Sequence, residues 1–163
     1  MLRLYLDSST IIKRYIAEPG TSTADMIFDR AENGELLITL SLWNIGEIFG
    51  VMDQRRRRRW LSEAEFVRAM KMLSSEVLKL MRLKALEIIP AFTSTMIDAW
   101  SVIIDNHIYQ ADALQITTCR YAGSDALLSG DGSLVDTSRK IGLKAFNIVQ
   151  EEEKVKEFVE SYG

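Results

Sequence analysis

Apolar residues open this chain as one short block and then recur at regular spacing. Leu2, Leu4, Tyr5 and Leu6 form a run that stops at Asp7-Ser8-Ser9-Thr10, after which Ile11, Ile12, Tyr15 and Ile16 return at helical spacing. Such a block reads as a buried parallel strand feeding a helix. Glu18-Pro19-Gly20 breaks the helix expected over Ser9–Ala17, and Ala24, Ile27, Phe28 and Ala31 predict a second over Ser22–Ala31. Leu36–Leu40 follows Asn33-Gly34 as a second buried strand. From Leu42 to Met52 only Asn44 and Glu47 are polar, so this helix is expected in the core. Glu47, beside Trp43 and Val51 on that helix, is then a buried carboxylate needing a cation or a raised pKa. Ser62 and Glu65 have capping-box spacing and open a long helix with Phe66, Met70, Leu73, Val77 and Leu80 or Met81 inward.

Leu86–Ile89 before Pro90 suits a short edge strand. Helices are expected over Thr95–Ile104, with Met96, Ala99, Trp100 and Ile103 on one side, and over Gln110–Tyr121, with Ala111, Leu114, Ile116 and Tyr121 mostly inward. Asn106-His107 separates them. Ala126–Leu128 is a strand ending at Ser129-Gly130-Asp131-Gly132, a short helix runs to Ile141, Ala145–Val149 is a last strand, and Glu151–Tyr162 closes the chain as a polar helix. Strands alternating with helices predict an α/β fold, a parallel sheet covered on both faces.

Composition narrows this picture. The 163 residues are 47% hydrophobic and 26% charged, as in an ordinary globular protein, and two prolines and nine glycines leave no room for a long linker, so residues 1–163 are expected to form one domain. The net charge of -3 gives no overall support to nucleic-acid binding. One cysteine, Cys119, rules out an internal disulfide and cysteine-based zinc motifs and fits a reducing, cytoplasmic setting. Leu2–Leu6 is too short for a signal peptide or a membrane span, so no membrane contact is expected.

Four acids carry the candidate chemistry: Asp7, Glu47, Asp112 and Asp131. Asp7 and Asp131 end apolar strands at one sheet edge if the strands are parallel, where open α/β sheets collect ligands. Glu47 comes from the apolar helix, and Asp112 from the first turn of another. Convergent acids without basic neighbours are tolerated when a divalent cation replaces the missing charge. Oxygen-only ligands suit Mg²⁺ or Mn²⁺ rather than zinc, and the chemistry implied is hydrolysis of a phosphodiester by an in-line water. Each acid also has a plain structural use. Asp7 suits a helix cap, Asp131 a turn, and Asp112 the positive end of a helix dipole.

Tyr5-Leu6-Asp7-Ser8-Ser9, Asn44-Ile45-Gly46-Glu47, Ala111-Asp112-Ala113-Leu114-Gln115-Ile116 and Leu128-Ser129-Gly130-Asp131-Gly132-Ser133-Leu134 resemble, in order, the acidic motifs of the PIN domain. The resemblance spans Leu2 to Val149, and the size is similar to the toxins of VapBC-type toxin–antitoxin pairs. It implies a three-layer α/β/α fold with sheet order 3-2-1-4-5, a Mg²⁺- or Mn²⁺-dependent endoribonuclease, frequent homodimers and a small antitoxin. Asp7, Glu47, Asp112 and Asp131 would be metal ligands or water positioners, with Ser9 an accessory polar group. Ser129 stands where threonine is common and keeps the hydroxyl. Gly130-Asp131-Gly132 is looser than the usual pattern.

Arg55, Arg56, Arg57, Arg58 and Arg59, followed by Trp60, have two further uses besides ending a helix. They suit RNA phosphates, with the indole stacking on a base, or an acidic antitoxin segment. His107, the only histidine, reads as structural at a helix junction, Cys119 as a small core residue, and Trp43, Trp100 and the methionines as core or dimer packing. The competing reading of the whole chain is a non-catalytic PIN-like module that binds RNA or protein.

Overall fold

The computed structural model describes residues 1–162. Five strands, β1 (Leu2–Leu6), β2 (Leu36–Ser41), β3 (Leu86–Ile89), β4 (Ala126–Ser129) and β5 (Ala145–Asn147), form one parallel sheet in the order β3-β2-β1-β4-β5. The helices are α1 (Ser8–Tyr15), α2 (Thr21–Glu32), α3 (Leu42–Arg57), α4 (Glu63–Arg82), α5 (Thr93–Asn106), α6 (Gln110–Tyr121), α7 (Gly132–Lys140) and α8 (Glu152–Glu160).

Alternation along β1 sorts the core into two halves. Leu2, Leu4 and Leu6 pack with residues of α1, α2, α3, α4 and α8, whereas Tyr5 packs on the other face with α5, α6 and α7. The sheet is thus covered on both sides, and buried strands on two fronts explain the unbroken apolar runs of β1 and β2. Among the described residues, no helix is long and apolar enough to cross a membrane.

Local chemistry sets the element ends. Asp7 caps α1 by accepting from the Thr10 amide, and Ser62 and Glu65 form the expected capping box on α4. That helix runs unbroken through Ser74-Ser75, where the Ser74 hydroxyl donates to the Met70 carbonyl. His107 ends α5 in the left-handed region, φ 55°, a structural role as expected.

Several packing expectations need correction. Only Asn44, Ile48 and Met52 of α3 are buried, and Leu42, Trp43 and Phe49 face outward. Helix α3 lies on the sheet by one face, with α4 beside it, and is not enclosed all round. Trp100 is 57% exposed, and Tyr121, Met72 and Met81 are also exposed, so none of these is core. Strand β5 stops at Asn147, whose side chain accepts from the Val149 and Gln150 amides and turns the chain before Val149.

Candidate active site

Strand register places the first two acids. Leu6 pairs with Leu128, and the Asp7 amide donates to the Leu128 carbonyl at 3.2 Å, so Asp7 leaves the sheet beside Ser129 at the carboxyl ends of β1 and β4. Asp131 follows two residues later as the cap of α7. Ser41 ends the neighbouring β2 and caps α3, which brings Glu47 over the same edge. Asp112 enters from the first turn of α6.

Asp7 is 3% exposed. Its Oδ1 accepts from the Thr10 amide, its Oδ2 from the Ser129 hydroxyl at 2.6 Å, and Ser9 Oγ stands 2.8 Å from both oxygens. Burial nonetheless raises its pKa above the ordinary carboxylate range, and the hydroxyls and the amide only partly offset this. Glu47 and Asp112 are half-buried, and both pKa values are raised, again chiefly by burial. The charges of Asp7 and Asp112 add to the rise at Glu47, and those of Asp131 and Asp7 to the rise at Asp112. Asp112 thus senses Asp7 and Asp131, and Glu47 senses Asp7 and Asp112, in one crevice with Asp7 buried and Asp131 exposed at the rim. Glu47 is not the fully buried core carboxylate expected from the sequence, because α3 is open to solvent on that side.

The loop after β4 is tightly held. The Gly130 amide donates to Ser9 Oγ at 2.8 Å, the Asp131 amide donates to Ser129 Oγ at 2.9 Å, and Asp131 Oδ1 accepts from the Ser133 and Leu134 amides. The extra glycines thus do not loosen it. A Cβ on Gly130 would sit 3.1 Å from Ser9 Oγ and 3.1 Å from Cε of Lys13, so this position has room only for glycine unless one of them shifts. Ser129, fully buried, serves both acids at once. Ser129→Ala strips a donor from Asp7 and an acceptor from the Asp131 amide, and is expected to cost about 1–3 kcal/mol in urea unfolding. Ser129→Thr, which keeps the hydroxyl, is expected to hold wild-type stability.

Sequence reasoning missed a buried relay behind Glu47. The Tyr5 hydroxyl donates to Asn44 Oδ1 at 2.9 Å, Asn44 Nδ2 donates to Gln115 Oε1 at 2.8 Å, and Gln115 Nε2 donates to Glu47 Oε2 at 3.3 Å. The available signal was Asn44, one of two polar residues on the apolar helix, and Gln115, three residues after Asp112 on the same side of α6. Lys13 was also missed. It is buried, ion-paired to Glu18 at 2.7 Å, and lies along Gly130, while the other Glu18 oxygen meets Arg55 at 2.9 Å.

The arginine run divides. Besides Arg55, Arg56 pairs with Asp53 and Glu63, and Arg57 with Asp53, whereas Arg58 stacks on Trp60 and Arg59 sits at φ 61° with no acidic partner among the described residues.

The donors in the crevice are oxygens only, as a hard divalent cation requires. Asp112 and the second oxygen of Asp131 accept no protein hydrogen bond among the described residues. In the same residues, no three His, Cys, Asp or Glu side chains already stand arranged around one ion. The donor set thus fits such a cation in chemistry, with side-chain adjustment needed to close on it.

No family model matches the sequence, and no curated protein matches it. Solved structures do. PAE2754 from Pyrobaculum aerophilum aligns at TM-score 0.65 and 12% identity over 99% of this chain and 89% of its own. FitAcB from Neisseria gonorrhoeae aligns at TM-score 0.62 and 14% identity, over 90% and 99% respectively. VapC20 from Mycobacterium tuberculosis, a sarcin-ricin loop cleaving toxin, aligns at 0.57 and 16%, over 86% and 95%. The fold is that of a PIN domain. In this PIN fold the expected sheet order holds, and the four acids that carried the sequence resemblance come from β1, α3, α6 and the β4–α7 junction to one sheet edge.

Proposed function

We propose that the chain is a divalent-metal-dependent endoribonuclease of the PIN type, acting as the toxin of a toxin–antitoxin pair. The observation that supports this most is the set of four carboxylates, brought by four separate elements to the carboxyl ends of β1 and β4. There burial raises the pKa of Asp7, Glu47 and Asp112, and the charges of neighbouring acids add to the rise at Glu47 and Asp112. The fold shared with VapC20, a toxin that cleaves the sarcin-ricin loop, points the same way.

Asp7, Glu47, Asp112 and Asp131 would hold Mg²⁺ or Mn²⁺ or position its water. Bound there, such an ion supplies Lewis acidity and lowers the pKa of water. Glu47, with its raised pKa and one oxygen anchored by Gln115, is suited to orient the attacking water and take its proton. Ser9 and Ser129 fix the Asp7 carboxylate, and the α7 amides fix that of Asp131. The phosphodiester is cut by in-line attack of water at phosphorus, with the leaving oxygen departing opposite.

The test is cleavage of structured RNAs in Mg²⁺, Mn²⁺ and chelator. Wild type is expected to cut with either metal and to stop with chelator. Metal-independent cutting overturns the reading.

The partners proposed are a small antitoxin and a second copy of the chain. Ile97, Trp100 and Ile104 lie on one stripe of α5, and all three are exposed. Charged residues are normally depleted from the centre of such a face. Ile104→Glu is expected to convert a dimer into a monomer in sedimentation velocity; unchanged sedimentation places the contact elsewhere.

A further inference from the structure

The turn between α3 and α4 carries a feature that the acidic crevice does not use. Of its five consecutive arginines, the first three are occupied: Arg55 ties α3 to Glu18, and Arg56 and Arg57 hold Asp53. The last two are different. Arg58 and Arg59 are exposed and have no carboxylate partner among the described residues. Arg59 adopts φ 61°, which closes the turn so that Trp60 comes next to Arg58, with the guanidinium carbon 5.1 Å from the indole centroid. Trp60 is 67% exposed, so its other face is open. The Ser62–Glu65 capping box, and Arg56 laid over Phe66 at 4.6 Å, pin the chain on the far side of the turn.

An indole held half out in water, backed by a guanidinium and flanked by a second free cation, is poor core and poor helix cap. It matches what single-stranded nucleic acid needs: a flat apolar surface for one base and fixed positive charge for adjoining phosphates. We infer that Arg58, Arg59 and Trp60 form an accessory site for single-stranded RNA, separate from the acidic crevice. The site rests on the reading of the chain as an RNA-cutting enzyme and extends it. Arg58, the C-cap of α3, follows Glu47 by eleven positions, a rise of about 16 Å along the helix axis. A strand threaded through the crevice is gripped at this corner by its flanking segment. The three paired arginines build the corner, and the two unpaired ones meet the phosphates.

The experiment measures binding of a fluorescein-labelled oligouridylate to the full chain in chelator, across a range of salt, so that no cleavage enters. Arg58→Gln/Arg59→Gln is expected to remove two phosphate contacts and flatten the plot of log K against log[salt] by about 1.4. Trp60→Ala is expected to weaken binding about tenfold at every salt concentration while leaving the slope alone, and Trp60→Phe to restore it. Arg55→Gln is expected to keep the wild-type slope. An unchanged slope in the Arg58/Arg59 variant, or no binding by wild type, overturns the inference and gives the corner to a protein partner or to the helix end. Neither outcome touches the nuclease reading, which stands or falls on metal-dependent cleavage.

Discussion

Asp7→Asn is expected to lower RNA cleavage by at least about a thousand-fold while the metal-free protein melts no lower than wild type, and by several degrees higher at pH 8. The two halves of this result have one cause. Asp7 sits at the floor of the crevice, where water reaches almost none of it, and an ionised carboxylate there is opposed by burial. Asparagine removes the charge but keeps an oxygen for the Thr10 amide, and the Ser9 and Ser129 hydroxyls turn to accept from its amide. The fold therefore loses a burden, while the reaction loses a proposed ligand and its charge. For a domain of this size each kcal/mol of stability is about 2–4 °C in melting temperature. Cleavage retained by this variant and by Asp131→Asn would remove both residues from the reaction. A large fall in melting temperature with lost cleavage would instead make Asp7 a structural residue.

The second large effect is the joint action of pH and metal on stability. Asp7, Glu47 and Asp112 all have pKa values raised on folding. A carboxyl shifted upward contributes stability that is fully present below its unfolded value, near about 4, and is lost as pH rises through its folded value. Metal-free protein is therefore expected to gain melting temperature as pH falls from 8 towards 5. The carboxylates held low, among them Glu18, Glu152 and Glu151 at about 2, act in the opposite sense, but only below their ordinary range. The window from 5 to 8 is left to the crevice. At a hundred times its dissociation constant, Mn²⁺ adds about 2.7 kcal/mol, or about 5–10 °C, at pH 8, and less at pH 5, where protons compete for the same oxygens. Calorimetry across the pH range with Mn²⁺ and with chelator reads both effects. Absence of a Mn²⁺ shift at pH 8 would leave the acids without their proposed ion.

What was legible in the sequence depended on range. Strand β1 and helix α6 match the ends expected of them, because an apolar block and a helical spacing are properties of neighbours along the chain. Asp7 proves to be the helix cap of its plain reading, whereas Asp131, whose plain reading is a turn residue, caps α7; both caps lie at the same time in the acidic crevice. Helix α3 was misread because counting apolar residues cannot distinguish a helix inside a core from one whose second face waits for a partner. Leu42, Trp43 and Phe49 have the same letters in either case. The relay from Tyr5 through Asn44 and Gln115 to Glu47 was out of reach for another reason. Asn44 and Gln115 lie 71 positions apart, and only the packing of α6 on α3 makes them partners.

The two outermost strands limit how this molecule can associate. Strand β5 has three residues, and β3 has four, with Glu87 exposed at its centre and Pro90 directly after it. Neither margin offers a long bare ladder of amides and carbonyls onto which another chain could add. Fibril-like growth is closed off, and lateral assembly must pass through helical surfaces, where α5 already presents indole and isoleucine to solvent. A concentrated preparation is accordingly expected to form discrete oligomers of fixed size instead of threads.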